Sequence, residues 1–292
     1  MKKKNTIPPC EQQIILAHIL GKSREYVLTH LEMPLSKLQA KKYQNFIKRR
    51  QKHEPMAYIL GHKEFYGLDF KVTKDTLIPR PETEHLVEVV TGNLKLVNRK
   101  KNNKVTILDI GTGSGNIIIS VAKELKNSKL PFTNYQLLAT DISKKALRVA
   151  RHNAKKHNVN EQIKFLKGSL LSPILNTKYL PRRQAGKTQN AIIVANLPYL
   201  SQKIYEGTMP DVKNFEPRSA LLSENNGLAH YEKLFNQIRK LLLFVDHCLL
   251  IIEFSPEQKP ALQKLIEYHF PAWRPKFQKD LAGKWRVCQI SP

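Results

Sequence analysis

Apolar residues follow two regimes along this chain. In the first fifty positions they cluster at helical spacing, with Ile14, Ile15, Ala17, Ile19 and Leu20 in one group and Leu38, Tyr43, Phe46 and Ile47 in a second. Ser36-x-x-Gln39 forms a capping box ahead of the second group, so a helix is predicted to start at Ser36 and to bury those four side chains. The pattern then shortens. Tyr58-Ile59-Leu60-Gly61 and the run from Glu64 to Val72 are β-rich with glycine punctuation, which predicts strands and a hairpin. Ile78-Pro79-Arg80-Pro81 breaks the chain before a helix over residues 82–97.

From residue 105 onward strands and helices alternate. Continuous apolar runs at 105–110, 136–140, 162–166, 191–195 and 248–254 read as buried strands, with helical stretches such as 144–157 and 228–243 between them. That rhythm predicts a parallel sheet covered on both faces. Two short β-like runs near the end, 273–277 and 285–290, flank Gly283 and suit an antiparallel edge pair. The polar, basic segment 176–190 interrupts the alternation as a surface loop.

Composition adds a bias in charge. Among 292 residues, 49 Lys and Arg stand against 24 Asp and Glu, a formal net charge of +25. Such a field attracts polyanions, although solvated lysines on a soluble protein account for it equally well. Cys10, Cys248 and Cys288 lie far apart without ligand spacing, so neither a disulfide framework nor a metal site is indicated. No apolar stretch is long enough to span a bilayer, and the expectation is a soluble, cytoplasmic monomer.

The first buried strand runs into Asp109-Ile110-Gly111-Thr112-Gly113-Ser114-Gly115-Asn116. Glycines there let the backbone turn sharply and approach a ligand without a Cβ in the way. The spacing departs from the dinucleotide fingerprint, because Asn116 stands where that pattern needs its third glycine, and no Gly-Lys-Ser/Thr follows for a phosphate loop. Asp-x-Gly-x-Gly-x-Gly resembles motif I of the class I methyltransferases, which use S-adenosylmethionine. The resemblance implies a Rossmann-like, doubly wound and mostly parallel sheet, with Gly111, Thr112, Gly113, Ser114 and Gly115 against the methionine part of the cofactor. Asp141 ends the second strand, where that family's carboxylate grips the ribose hydroxyls; it could instead cap the helix that starts near Ser143. Ser169, where the family usually has an acid or polar group, would face the adenine amino group, and Leu170 would pack on the ring.

The fourth strand runs straight into Asn196-Leu197-Pro198-Tyr199. An amide nitrogen is a poor nucleophile because its lone pair is delocalised, so its methylation requires two acceptors that hold the NH₂ and aim it. The Asn196 side-chain oxygen and the Leu197 carbonyl make such a pair, Pro198 stiffens the turn and Tyr199 offers a flat wall. The tetrapeptide resembles the Asn-Pro-Pro-Tyr motif of amino-methyltransferases acting on glutamine or adenine, with Leu197 in place of the commoner Pro, and the resemblance implies that Asn196 contacts the cofactor as well as the target amide.

Asn-Leu-Pro-Tyr is also similar to the ribosomal RNA adenine dimethylases, and an adenine amino-methyltransferase of rRNA or DNA is the alternative. The flanking segments favour a different substrate. Glu54-Pro55-Met56-Ala57-Tyr58-Ile59-Leu60-Gly61, Phe65-Tyr66-Gly67, Leu77-Ile78-Pro79-Arg80-Pro81-Glu82-Thr83-Glu84, Phe215-Glu216-Pro217-Arg218-Ser219-Ala220-Leu221 and Asp280-Leu281-Ala282-Gly283-Lys284-Trp285-Arg286-Val287 occur in order. Together they resemble the peptide chain release factor glutamine methyltransferases of the HemK type. The resemblance implies methyl transfer to the side-chain nitrogen of the glutamine in the Gly-Gly-Gln loop of class I release factors. It also implies a helical substrate-recognition domain over 1–53, a β-hairpin connector over 54–80 and a methyltransferase domain over 81–292. Arg80, Glu82 and Glu216 either line the pocket or, for 80–84, simply start a helix. The basic stretches 98–104 and 178–187 are candidate contacts for nucleic acid or the ribosome, or plain solvated loops.

Overall fold

The computed structural model describes residues 7–97, 104–128, 134–176, 179 and 189–292. Among these residues no helix is long and apolar enough to cross a membrane. The basic segment 98–103 and most of the loop 176–190 lie outside the described residues.

Four helices open the chain: α1 (Pro9–Leu20), α2 (Arg24–Thr29), α3 (Lys37–Gln51) and α4 (Met56–Leu60). The capping box at Ser36 forms as predicted, with both reciprocal hydrogen bonds present. Ile15, Phe46 and Ile59 are buried together, with Ile19, Tyr43, Ile47, Met56 and Leu60 packed around them. Leu38 is not part of this cluster and stands 77% exposed, contrary to expectation. Tyr58 to Leu60 are helical rather than extended. An apolar run this short carries no period of its own, and Gly61, at φ 82°, closes it as a helix C-cap. Arg50 clamps Glu11 at 2.7 Å, tying α3 to α1.

The predicted hairpin follows as β1 (His62–Phe65) and β2 (Leu68–Lys71). Its two turn residues, Tyr66 and Gly67, both have positive φ, the geometry that matches the twist of a two-residue hairpin. Phe65 and Phe70 are buried against the larger domain. The Asn153 side chain completes the junction by exchanging bonds with the Lys71 N–H and C=O at 2.8 and 3.0 Å while donating to the Ser114 carbonyl at 2.9 Å.

The larger domain is one seven-stranded sheet: β3 (Lys104–Ile110), β4 (Tyr135–Asp141), β5 (Ile163–Lys167), β6 (Gln189–Ala195), β7 (His247–Glu253), β8 (Arg274–Lys279) and β9 (Trp285–Ser291). Their order is β5-β4-β3-β6-β7-β9-β8. The first five in that order are parallel, whereas β9 runs antiparallel to both β7 and β8. Helices α5 (Glu84–Val97), α6 (Asn116–Asn127) and α7 (Lys144–Lys156) cover one face; α8 (Ser172–Leu175), α11 (Ala229–Leu241) and α12 (Lys259–His269) cover the other. Between β6 and α11 lie α9 (Gln202–Glu206) and α10 (Pro210–Phe215). Successive residues of one strand enter opposite layers, Ile107 in one and Leu108 in the other, which is why the strands read as unbroken apolar runs. The connections leave β3 toward β4 on one side and return to β6 on the other. That reversal opens a crevice at the carboxyl ends of β3 and β6, the place where sheets of this kind receive ligands.

Candidate active site

The glycine loop leaves β3 with Gly111, Gly113 and Gly115 at φ 76°, 55° and 81°. A Cβ at Gly115 would lie 2.8 Å from Ile119 Cδ1 and 3.2 Å from Ala150 Cβ, so helices α6 and α7 close on the loop only because position 115 is bare. Beneath the loop, Asp109 is fully buried and accepts the Thr112 hydroxyl at 2.6 Å. Burial pushes its carboxyl up to about 7, against the opposing pull of Thr112. Asp141, at the end of β4, accepts the Gly113 N–H at 2.9 Å and the Ser143 N–H at 2.8 Å. It therefore ties the loop to the start of α7, where Ser143 itself is the cap. Burial raises its carboxyl while those two N–H groups work to hold it ionised.

A hollow of about 340 Å³ opens over this loop. Gly111 to Ser114, Asp141, Ser169, Leu170, Asn196, Leu197 and Pro198 all line it, so the residues singled out from the sequence converge from the ends of four strands. Gly115 and Tyr199 are outside that lining; Gly115 lies beneath, against α6 and α7. A second hollow, of about 290 Å³, adjoins the first. Tyr199, Glu253, Leu200, Thr208, Val212 and Leu221 line it, and Leu77, Arg80, Asn196, Leu197 and Ala220 face both. Asn196 and Leu197 thus stand on the wall between two cavities.

The turn after β6 is held from several directions. Asn196 Nδ2 donates to the Thr83 hydroxyl at 3.1 Å, and Thr83 donates to Glu253 Oε2 at 2.7 Å. The Tyr199 hydroxyl donates to Glu253 Oε1 at 2.9 Å, and the Tyr231 hydroxyl donates to the Glu253 main-chain carbonyl. Gln258 Nε2 reaches the Tyr199 carbonyl at 2.8 Å. Gly227 passes so close that a Cβ there would fall 2.0 Å from that same carbonyl. Burial raises the Glu253 carboxyl, opposed by the Thr83 and Tyr199 hydroxyls and by Arg286. Burial and the neighbouring carboxylate together hold the Tyr199 phenol protonated.

Of the three residues whose role the sequence left open, Arg80 faces both hollows and pairs with Glu216, whose other oxygen accepts the Ile78 N–H at 3.1 Å. Glu82 is exposed and lines neither hollow. Its neighbour Thr83, only 2% exposed, is the side chain of that segment that turns inward. Thr83, Glu253, Gln258 and Gly227 were not singled out from the sequence. Glu253 carried one usable signal, an acid closing an apolar parallel strand.

The cleft, lined by the bare backbone of Gly111 and Gly113 and by the Asp141 carboxylate at the end of β4, fits S-adenosylmethionine, since a Cβ at Gly113 would meet nothing but the Gly111 carbonyl at 4.0 Å and would stand in open space beside the ligand. Comparison with known proteins bears on the same point. A family model described as the PrmC N-terminal domain matches residues 2–61, and one described as a methyltransferase domain matches residues 101–208. The release factor glutamine methyltransferase of Nitratidesulfovibrio vulgaris is 32% identical over 277 residues, covering 94% of this chain and 85% of that one. That of Clostridium botulinum is 33% identical, covering 96% and 90%. A bifunctional methyltransferase of Rickettsia bellii is 34% identical over 97% of this chain but only 51% of its own length. Among solved structures, the N-terminal domain of human METTL16 in complex with SAH aligns over 100% of this chain and 98% of that one, with TM-score 0.54 and 15% identity, a likeness of fold.

Proposed function

The chain belongs to the release factor glutamine methyltransferase family and uses S-adenosylmethionine, and from that premise we propose that the two hollows are its cofactor and glutamine sites. The observation that carries this reading is the position of Asn196 and Leu197 on the wall shared by both cavities. The first hollow takes the cofactor: Gly111 to Gly115 lie along its methionine part, Asp141 takes the ribose hydroxyls, Ser169 meets the adenine amino group and Leu170 packs on the ring. The bound cofactor supplies a methyl group on a positively charged sulfur. The second hollow takes the side chain of the glutamine in the Gly-Gly-Gln loop of a class I release factor.

There the target NH₂ donates to Asn196 Oδ1 and to the Leu197 carbonyl, while Pro198 and Tyr199 wall the planar amide. Holding both protons aims the nitrogen lone pair along one line, and the site's work is orientation and exclusion of water. An amide that has gained a methyl at nitrogen is strongly acidic, so the proton leaves after transfer and no strong base is required at the nitrogen. The helical unit over 1–53 would grip the factor, the hairpin segment over 54–80 would join it to the methyltransferase domain over 81–292, and the enzyme would act as a monomer.

A second partner is favoured by one surface. Helix α7 exposes Lys144, Lys145, Arg148, Arg151, His152, Lys155 and Lys156 and carries no acid. Lys145 and Lys156 pair with Asp75 and Asp69, and Arg151 lies over Phe165. Lys144, Arg148 and Lys155 fall on one stripe of the helix, a surface fitted to the phosphates of an RNA near the factor. Incubation with labelled cofactor and either release factor or total RNA tests the assignment. Label on the Gly-Gly-Gln glutamine supports it; label on adenine of RNA alone would replace it with the adenine methyltransferase reading.

A further inference from the structure

Asn196 has two edges of nearly the same shape, one an acceptor and one a pair of donors. The cradle works only if the oxygen faces the target amide; with the edges exchanged, NH₂ would meet NH₂. The turn after β6 therefore needs something that tells the two edges apart, and the residues behind it supply that.

Glu253 is 1% exposed and Thr83 is 2% exposed, with Thr83 bordering the first hollow and Glu253 the second. An ionised carboxylate only accepts hydrogen bonds. Glu253 Oε2 takes the single hydroxyl proton of Thr83 at 2.7 Å, and Oε1 takes that of Tyr199 at 2.9 Å. With its proton committed, Thr83 Oγ1 can only accept from its other neighbour. The Asn196 atom at 3.1 Å from it must then be the nitrogen, which turns Oδ1 away from Thr83. Each direction of donation follows from the charge on Glu253.

We infer that Thr83 and Glu253 are positioning residues, a buried relay that fixes the edge of Asn196 presented to the substrate glutamine and thereby sets the rate of transfer. The inference rests on the proposed roles of Asn196 and the second hollow. Neither relay residue needs to touch the reacting atoms. Thr83 comes from the segment before α5, Glu253 from the end of β7 and Asn196 from the end of β6, so three elements far apart in sequence must dock before the amide has a defined orientation.

The relay carries a pH dependence of known sign. The groups facing the Glu253 carboxylate are the Thr83 and Tyr199 hydroxyls and the Arg286 guanidinium, which favour the ion, and Glu82, which opposes it. The Tyr231 hydroxyl meets the main-chain carbonyl of Glu253. Burial is the largest influence and raises the carboxyl above its ordinary range. When Glu253 takes up a proton it becomes a donor; Thr83 can then accept from it and donate to Asn196, and the amide edges exchange. Transfer therefore falls as pH is lowered through a value above the usual carboxylate range, and it falls through turnover rather than cofactor binding.

The test is steady-state methylation of a purified release factor as a function of pH by the full chain and by Thr83→Val, Thr83→Ser, Glu253→Gln and Asn196→Ala. Thermal melts and cofactor titration accompany each variant. Thr83→Val is expected to lose about tenfold in kcat, the scale of one oriented hydrogen bond, with cofactor KM unchanged. It should also lose the acid limb that belongs to Glu253. Thr83→Ser, which keeps the hydroxyl, restores both. Glu253→Gln lowers kcat and removes the same limb, because a neutral amide no longer dictates which way Thr83 donates. Wild-type kcat in Thr83→Val, or an acid limb that survives in it, overturns the relay. If Thr83→Val is too unstable to assay, Thr83→Ala and Glu253→Gln give the same comparison. Asn196→Ala separates the two levels: full activity there refutes the cradle itself, whereas loss of activity there with a normal Thr83→Val refutes the relay alone.

Discussion

Leu197 lies against Gly111 so closely that a Cβ on the glycine would stand 3.0 Å from Leu197 Cδ2. The cofactor loop and the turn that would hold the substrate are thus in direct contact. Leucine, at a position where related motifs carry proline, closes that contact with a buried side chain. Gly111→Ala is expected to lose transfer activity by displacing Leu197, with a stability cost of about 1–2 kcal/mol from the left-handed backbone. Gly67→Ala is the control, since Gly67 has a similar φ of 69° and nothing within 4 Å of a Cβ. It should cost a comparable amount in a denaturant melt and leave kcat/KM near wild type.

Asp109 gives the fold a pH dependence of opposite sign to that of an ordinary ion-paired carboxylate. Its carboxyl lies near 7 in the folded state because burial disfavours the charge, against a reference value of 3.8. Between those values the folded chain binds more protons than the unfolded one, so stability falls as pH rises from about 4 to 7. The effect is on the order of a few kcal/mol. Denaturation curves of the wild type and Asp109→Asn at pH 5 and pH 8 check this. The variant should lose less stability across the interval, because the amide keeps an acceptor for Thr112 without a charge to bury.

The cationic stripe on α7 predicts binding of RNA that weakens with salt. Arg148→Glu with Lys155→Glu should reduce the slope of log affinity against log salt by about 0.7 for each phosphate of single-stranded RNA that the variant no longer neutralises. Methylation of free release factor should be unchanged, as neither side chain lines a hollow. An unaltered slope would assign the exposed charge to solvation.

The sheet was legible because each of its central strands is buried on both faces, which leaves an apolar run that no surface element produces. Asp141 and Asn196 were legible for a related reason, since polar residues that end such runs fall at the mouth of the crevice. Tyr58 to Leu60 misled because the five apolar residues Met56–Leu60 fit a helical turn as well as a strand, and only docking on Ile15 and Phe46 decides between them. Thr83 and Glu253 were hidden differently. They are 170 residues apart, and neither has a signature until the fold brings them to 2.7 Å. Gly227 reads as an ordinary loop glycine, although the Tyr199 carbonyl occupies the space a side chain would need.

The most direct test of the central claim is a single mapping experiment. The full chain, and separately Asn196→Ala, is incubated with labelled S-adenosylmethionine and a class I release factor, and the modified position is read by mass spectrometry. One methyl group on the Gly-Gly-Gln glutamine, with kcat reduced at least about a hundredfold in Asn196→Ala while cofactor binding persists, is the predicted result. Unmodified glutamine with label elsewhere, or an Asn196→Ala enzyme as fast as wild type, would contradict the account.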